Sequence, residues 1–220
     1  MRLALIGVCS WLGVASAAPA APLPAVTPQG HELDRILDGF DLDTLWQAGS
    51  RVNWATGVAL GPSHRPGGTH CSAFAAAAAQ RLGVYLLRPP AHSAVLLANA
   101  QYDWLGGDAG RAAGWREVDG ALAAQEAANL GSLVVAVYRN HHNDHPGHIA
   151  IVRPAELDDT RVARVGPDVI QAGRNNYRRV ALAQGFLWHP AAWRRHEVRF
   201  FSHPVEFAPA AAVPAGVDAR

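Results

Sequence analysis

The order in which apolar patterns succeed one another restricts the architecture of this chain more than any other feature. Up to Leu130 the pattern is mainly helical, over 32–40, 70–82, 93–105 and 121–130, the second segment with Thr69 as N-cap and Gly83 as stop. From Leu133 onward, short segments rich in Val, Ile and Phe take over, at 133–138, 148–152, 169–172 and 198–201, separated by Gly, Pro and Asn as strands are. A run of helices followed by a run of strands predicts an α+β fold, with N-terminal helices packed on one side of a small antiparallel sheet. A chain of 220 residues is long enough for one proper core and short for two.

The ends differ in character from this core. Arg2, the apolar stretch from Leu3 to Val14 and Ala15-Ser16-Ala17 together read as a secretory signal over 1–17, with cleavage before Ala18. That stretch is too short to span a bilayer, and no later segment approaches the necessary length, so membrane insertion is not expected. Residues 18–30 and 208–220 are rich in Ala and Pro and read as a linker and a flexible tail around one domain of 31–207. The expected destination is the periplasm or the exterior of a bacterial cell. The 19 basic residues, all Arg, nearly balance 18 acidic ones, so the chain lacks the basic excess that nucleic-acid binding requires.

Cys71 is the only cysteine after the signal segment. In an oxidising compartment exported proteins normally pair their thiols, so a lone one is either a small buried hydrophobe or a reactive group. It stands at an exposed helix start in Thr69-His70-Cys71-Ser72-Ala73-Phe74, just after the loop Arg65-Pro66-Gly67-Gly68. There, unpaired N–H groups and the helix dipole favour an anion, bringing a thiol of pKa roughly 8.5 toward thiolate and offering an oxyanion hole. A base is available in Gly147-His148-Ile149-Ala150-Ile151-Val152, where alternation sets His148, Ala150 and Val152 on one face of a strand. Such a Cys and His can form a thiolate-imidazolium pair in which the His later protonates a leaving amine. Gln171, an uncharged polar residue in the apolar strand Val169-Ile170-Gln171-Ala172, is placed to orient the imidazole, with Asn175 as the reserve choice.

The three segments His70-Cys71-Ser72-Ala73-Phe74, Gly147-His148-Ile149-Ala150-Ile151-Val152 and Ile170-Gln171-Ala172-Gly173 resemble the papain-like cysteine amidohydrolases and peptidases of the CHAP and NlpC type, over roughly residues 65–175. The resemblance implies a papain-like domain that cuts amide bonds in peptidoglycan stem peptides through an acyl-enzyme, with Cys71 as nucleophile, His148 as base and Gln171 as orienting residue. It implies no cofactor, and no partner besides a peptidoglycan or peptide substrate; the chain is expected to act as a monomer. The order Cys before His matches the ordinary members and not the circularly permuted acyltransferase relatives. Two features depart from the pattern: the sequence contains no recognisable wall-binding module, and residues 88–130 form a longer helical segment than a minimal member needs.

His70, Trp104, His145 and Asn175 are the candidate substrate contacts. The loop around His141, His142, His145 and His148 has zinc-ligand residue types, but Pro146 and Gly147 break any helical H-E-x-x-H frame, and no metal is assigned. The alternatives are a peptidase or acyltransferase acting on another amide, and a non-catalytic or zinc-binding envelope module.

Overall fold

The computed structural model describes residues 22–62 and 70–207. The expected signal segment 1–17, the Thr69 cap and the tail 208–220 lie outside the described residues. In chain order the elements are α1 (Pro28–Asp38), β1 (Ser50–Val52), β2 (Ala59–Pro62), α2 (Cys71–Arg81), α3 (Leu97–Gly106), α4 (Asp108–Ala112), β3 (Arg116–Val118), α5 (Gly120–Asn129), β4 (Leu133–Tyr138), β5 (His148–Val152), α6 (Asp159–Val165), β6 (Asp168–Gln171), β7 (Tyr177–Ala181), α7 (Leu182–Gly185), α8 (Pro190–Arg194) and β8 (Arg199–His203). The architecture is α+β. A small antiparallel pair, β1-β2, stands apart from a six-stranded antiparallel sheet of order β3-β8-β4-β5-β6-β7.

Helices cover both faces of the larger sheet, which corrects the expectation of helices on one side only. On one face Val135, Val137, Ile149, Ile151 and Ile170 pack with α2 and with Leu33 and Leu37 of α1. On the other, Val134, Ala136, Ala150, Val152 and Val169 meet Ala124 and Ala128 of α5, Leu182 of α7 and Phe186. The sequence of β4 reflects this double cover: all six residues of Leu-Val-Val-Ala-Val-Tyr are buried, and a strand without polar alternates is stable only with both faces shielded. The alanine run of α2 answers a matching demand. Residues 71–79 are all buried, and alanine combines the highest helix propensity with the smallest side chain, so the helix lies close against the sheet.

The expected linker over 18–30 ends too late. Thr27 caps α1 through a hydrogen bond that its Oγ1 accepts from the Gly30 N–H, and Pro28 supplies a preset φ in the first turn. Asn129 fixes this segment from the end of α5, its carbonyl accepting from the Thr27 N–H at 2.9 Å and its side-chain amide donating to the Pro24 carbonyl at 2.8 Å. Arg153, directly after β5 and 1% exposed, then ties α1 to the sheet. Its guanidinium donates to Asp34 at 2.8 Å, to Asp38 at 2.5 Å and to the Arg178 carbonyl at 2.7 Å. A buried cation left unpaired costs about 3–5 kcal/mol, so these acceptors are a structural requirement. Among the described residues, no helix is long and apolar enough to cross a membrane.

Candidate active site

The antiparallel order gathers three of the predicted site residues at one end of the sheet. Strand β5 begins with His148 where the loop from β4 returns, and β6 finishes with Gln171 where the turn to β7 begins. Because β5 and β6 pair with Ile151 opposite Ile170 and Val152 opposite Val169, these two ends coincide. The N-terminus of α2 reaches the same end. A Cβ built on Gly173 would lie 3.7 Å from Cβ of Cys71 and 3.9 Å from Cε1 of His148, so the thiol-bearing carbon and the imidazole border one point. They approach it from different sides: Cys71 packs with the cluster that holds Ile149 and Ile151, whereas His148 packs its ring edge-on to Phe186, with centroids 4.7 Å apart. Cys71 is 2% exposed, which corrects the expectation of an exposed helix start.

The tautomer of His148 follows from its neighbours. The Asn175 carbonyl can only accept, so the Gln171 amide nitrogen donates to it at 3.3 Å and turns Oε1 toward His148. That oxygen lies 2.9 Å from His148 Nε2, which therefore carries the proton and leaves Nδ1 as the basic nitrogen. We expect Gln171→Ala to lower the maximal rate on the order of tenfold with a smaller effect on substrate affinity, a fraction of the hundred- to ten-thousandfold that a positioned base contributes. Gln171→Glu should retain a good part of the activity and shift the pH profile upward, because a carboxylate favours the imidazolium. Steady-state kinetics across pH on the two variants checks this, and wild-type behaviour in both would reduce Gln171 to a core amide.

Burial holds the His148 pKa down at about 4, against an ordinary value of 6.5, and the Gln171 hydrogen bond offsets this only in part. His189, whose ring lies 6.3 Å from that of His148, is also pushed to about 4, by burial first and by His148 second. The resting imidazole is thus neutral at pH 7, which argues against a standing imidazolium. The unfolded chain takes up protons near pH 6.5 that the folded one refuses until about pH 4, so stability is complete above 6.5 and lost as pH falls through this window. For His148 alone the loss amounts to about 3 kcal/mol at most. Thermal melts between pH 7 and pH 4 should show the decline, and His148→Ala should make it shallower, leaving the share that His189 contributes.

Two buried polar residues that sequence reasoning did not single out hold this end together. Gln101, fully buried on α3, donates to the carbonyls of Ser72 at 3.1 Å and Leu87 at 3.0 Å, anchoring the first turn of α2. Asn99 donates to the His145 carbonyl at 2.9 Å and accepts from the Asn140 N–H at 3.1 Å, clamping both limbs of the β4–β5 loop. Gly147 is needed where that loop closes, since a Cβ there would fall 2.1 Å from the Tyr138 carbonyl oxygen and 2.5 Å from Asn99 Oδ1. Their signal was a pair of amides inside the apolar run Leu96-Leu97-Ala98-Asn99-Ala100-Gln101.

A cavity of about 430 Å³ opens beside His148 and Gln171. Of the predicted substrate contacts, His145 and Asn175 line it and His70 and Trp104 do not; the predicted nucleophile Cys71 is not among its described lining residues either. His70 immediately precedes α2; its half-buried ring lies beside the backbone of Ser50 and Gln47, and desolvation lowers its pKa. Trp104 stacks edge-on with Tyr85 at 5.6 Å and packs against the core. Arg174, Trp188 and His189 line the cavity without having been anticipated. In the His-rich loop, His141 pairs with Glu197 at 3.1 Å and the ring of His142 meets that of His145 at 5.5 Å. Among the described residues, no group of three or more His, Cys, Asp or Glu side chains converges as a metal site would require. The chain matches no family model, and none of the curated proteins matches it.

Proposed function

We propose that this chain is an exported cysteine hydrolase of papain-like architecture that cuts amide bonds in peptidoglycan stem peptides, acting as a monomer in the periplasm or outside the cell. The observation that carries the reading is the approach of Cys71 and His148 to one point beside Gly173, with Gln171 fixing the imidazole so that Nδ1 is basic. The resemblance of the three segments around these residues to cell-wall amidohydrolases supplies the substrate class.

The chemistry assigns each group a step. The Cys71 sulfur attacks the amide carbonyl carbon while its proton passes to His148 Nδ1, so proton transfer accompanies attack. The first intrahelical bond of α2 runs from the Phe74 N–H to the His70 carbonyl, so the Ser72 and Ala73 amides lack intrahelical acceptors and can receive the developing oxyanion. Collapse of the tetrahedral adduct breaks the C–N bond, His148 returns its proton to the leaving amine, and a thioester remains. Water, deprotonated by His148, then attacks the thioester, releasing a carboxylate and restoring the thiol.

Digestion of purified peptidoglycan, with products identified by mass spectrometry, tests the proposal. New paired amine and carboxyl termini from the wild-type protein, absent after alkylation of Cys71, are the expected result. Intact peptidoglycan with an alkylatable Cys71 would count against this substrate, and turnover after complete alkylation against this chemistry.

A further inference from the structure

We infer that Arg174 and Trp188 form a subsite for a substrate carboxylate in the cavity beside His148; the inference rests on the hydrolase reading and names the chemistry its substrate must carry. Among the described residues, the cavity next to His148 is lined by four titratable side chains, His145, His148, His189 and Arg174, and by no Asp or Glu. Of these described lining residues, Arg174 carries the one permanent charge. Among the described residues no carboxylate forms an ion pair with Arg174, whereas its neighbours on the same hairpin are committed to structure, Arg178 to Asp43 at 2.9 Å and Arg179 to Asp34 at 2.8 Å.

Arg174 is also held in position. Its guanidinium carbon lies 3.8 Å from the centroid of the Trp188 ring. The Trp188 indole N–H donates to Asn175 Oδ1 at 2.7 Å, and the Asn175 carbonyl accepts from Gln171, so the platform is coupled to the residue that orients His148. A guanidinium seated over an indole ring engages it through the cation–π attraction and does not spend its N–H donors there, so they are left to grip a carboxylate. Trp188 keeps 51% of its surface exposed, an unusual allowance for so large an apolar side chain at a cavity wall, and a substrate stem laid across it would cover that surface. A neutral peptide would leave the arginine unanswered, whereas a peptide bearing a carboxylate would gain a charge-assisted contact in a partly enclosed space.

Calorimetric titration separates this subsite from the catalytic reading. Protein carrying Cys71→Ala is titrated with stem peptides released from peptidoglycan, which bear free carboxylates, and with the same peptides after conversion of every carboxyl group to a carboxamide. The carboxylate forms should bind about tenfold more tightly, and raised ionic strength should shrink the difference. Arg174→Ala and Arg174→Gln, each verified as folded by thermal melt, should remove the difference, and Arg174→Lys should restore part of it. Equal affinity for the two peptide sets, no affinity for either, or a preference that survives both Arg174 variants overturns the subsite. Wild-type protein that prefers carboxylates in this way but cuts neither set would remove the hydrolase reading and leave the subsite standing. Cleavage of both sets at equal rates would do the reverse.

Discussion

Cys71→Ala is expected to reduce amide cleavage by at least about a thousandfold, since loss of a nucleophile removes the covalent route and leaves only binding and oxyanion stabilisation. The same substitution should cost little stability, although more than a solvent-facing position would. Cys71 is 2% exposed and belongs to the core cluster with Phe74 and Ile149, so deleting its sulfur opens a small void worth about 1 kcal/mol. For a domain of this size that corresponds to a fall in Tm of roughly 2–4 °C. Cys71→Ser keeps the shape but buries a hydroxyl and should be equally inactive. Activity and melting are to be measured on the same preparations. Turnover near the wild-type level in Cys71→Ala would eliminate the mechanism.

His148→Ala carries the second large effect, a loss of roughly a hundred- to ten-thousandfold in maximal rate, because the acceptor of the thiol proton and the donor to the leaving amine disappear together. Alkylation of Cys71 at neutral pH should slow in parallel, a response that a purely structural role for His148 would not produce. The pH profile gives a sharper test. With the imidazole held at about pH 4, protonation should disable the base only near that value, so kcat/KM should remain level well below the 6.5 of an ordinary histidine. Short assays with parallel melts distinguish this limb from acid unfolding. An acid limb centred at 6.5 would show that His148 is not the group whose protonation controls the rate.

The parts of this fold that were legible in sequence are those where burial writes a pattern. Strands β4 and β5 follow the predicted 133–138 and 148–152 because their apolar runs are bounded by Gly, Asn and Pro. Strands β3 and β7 were missed, and they are the two edges of the six-stranded sheet. An edge strand is half solvated and often blunted with charge, so Arg116-Glu117-Val118 and Tyr177-Arg178-Arg179-Val180-Ala181 show no apolar alternation to detect. The second layer of helices was hidden differently: α5 was legible as a helix, but its packing face depends on Ala124 and Ala128, which are too small to give a strong stripe. At the N-terminus, the Ala and Pro content around Thr27-Pro28 drew attention away from a capping signal that those two residues carry plainly.

At the site, Cys71, His148 and Gln171 were conspicuous because each is a chemically active residue in an apolar segment, where only a specific partner compensates its cost. Proximity in sequence misled for His70 and Trp104. His70 adjoins the thiol yet turns toward the 47–50 segment, and Trp104 serves the core beside Tyr85. Arg174, Trp188 and His189 carry no such mark in sequence, since the turn after Gly173 and the connection between α7 and α8 that present them have no periodicity, and only the fold brings them to the cavity.

The division of labour at the open end of the sheet has an evolutionary corollary. His148 and Gln171 sit within strands, where shifting register by one residue would turn every side chain to the opposite face. The cavity around them is walled largely by the 140–147 loop, the turn after Gly173 and the segment carrying Trp188, none of which is bound by that constraint. Exchange of residues in these connections, Gly147 apart, can therefore reshape the cavity while His148 and Gln171 stay in place, so that under the proposed function duplicated copies of such a gene would diverge in substrate before they diverged in mechanism.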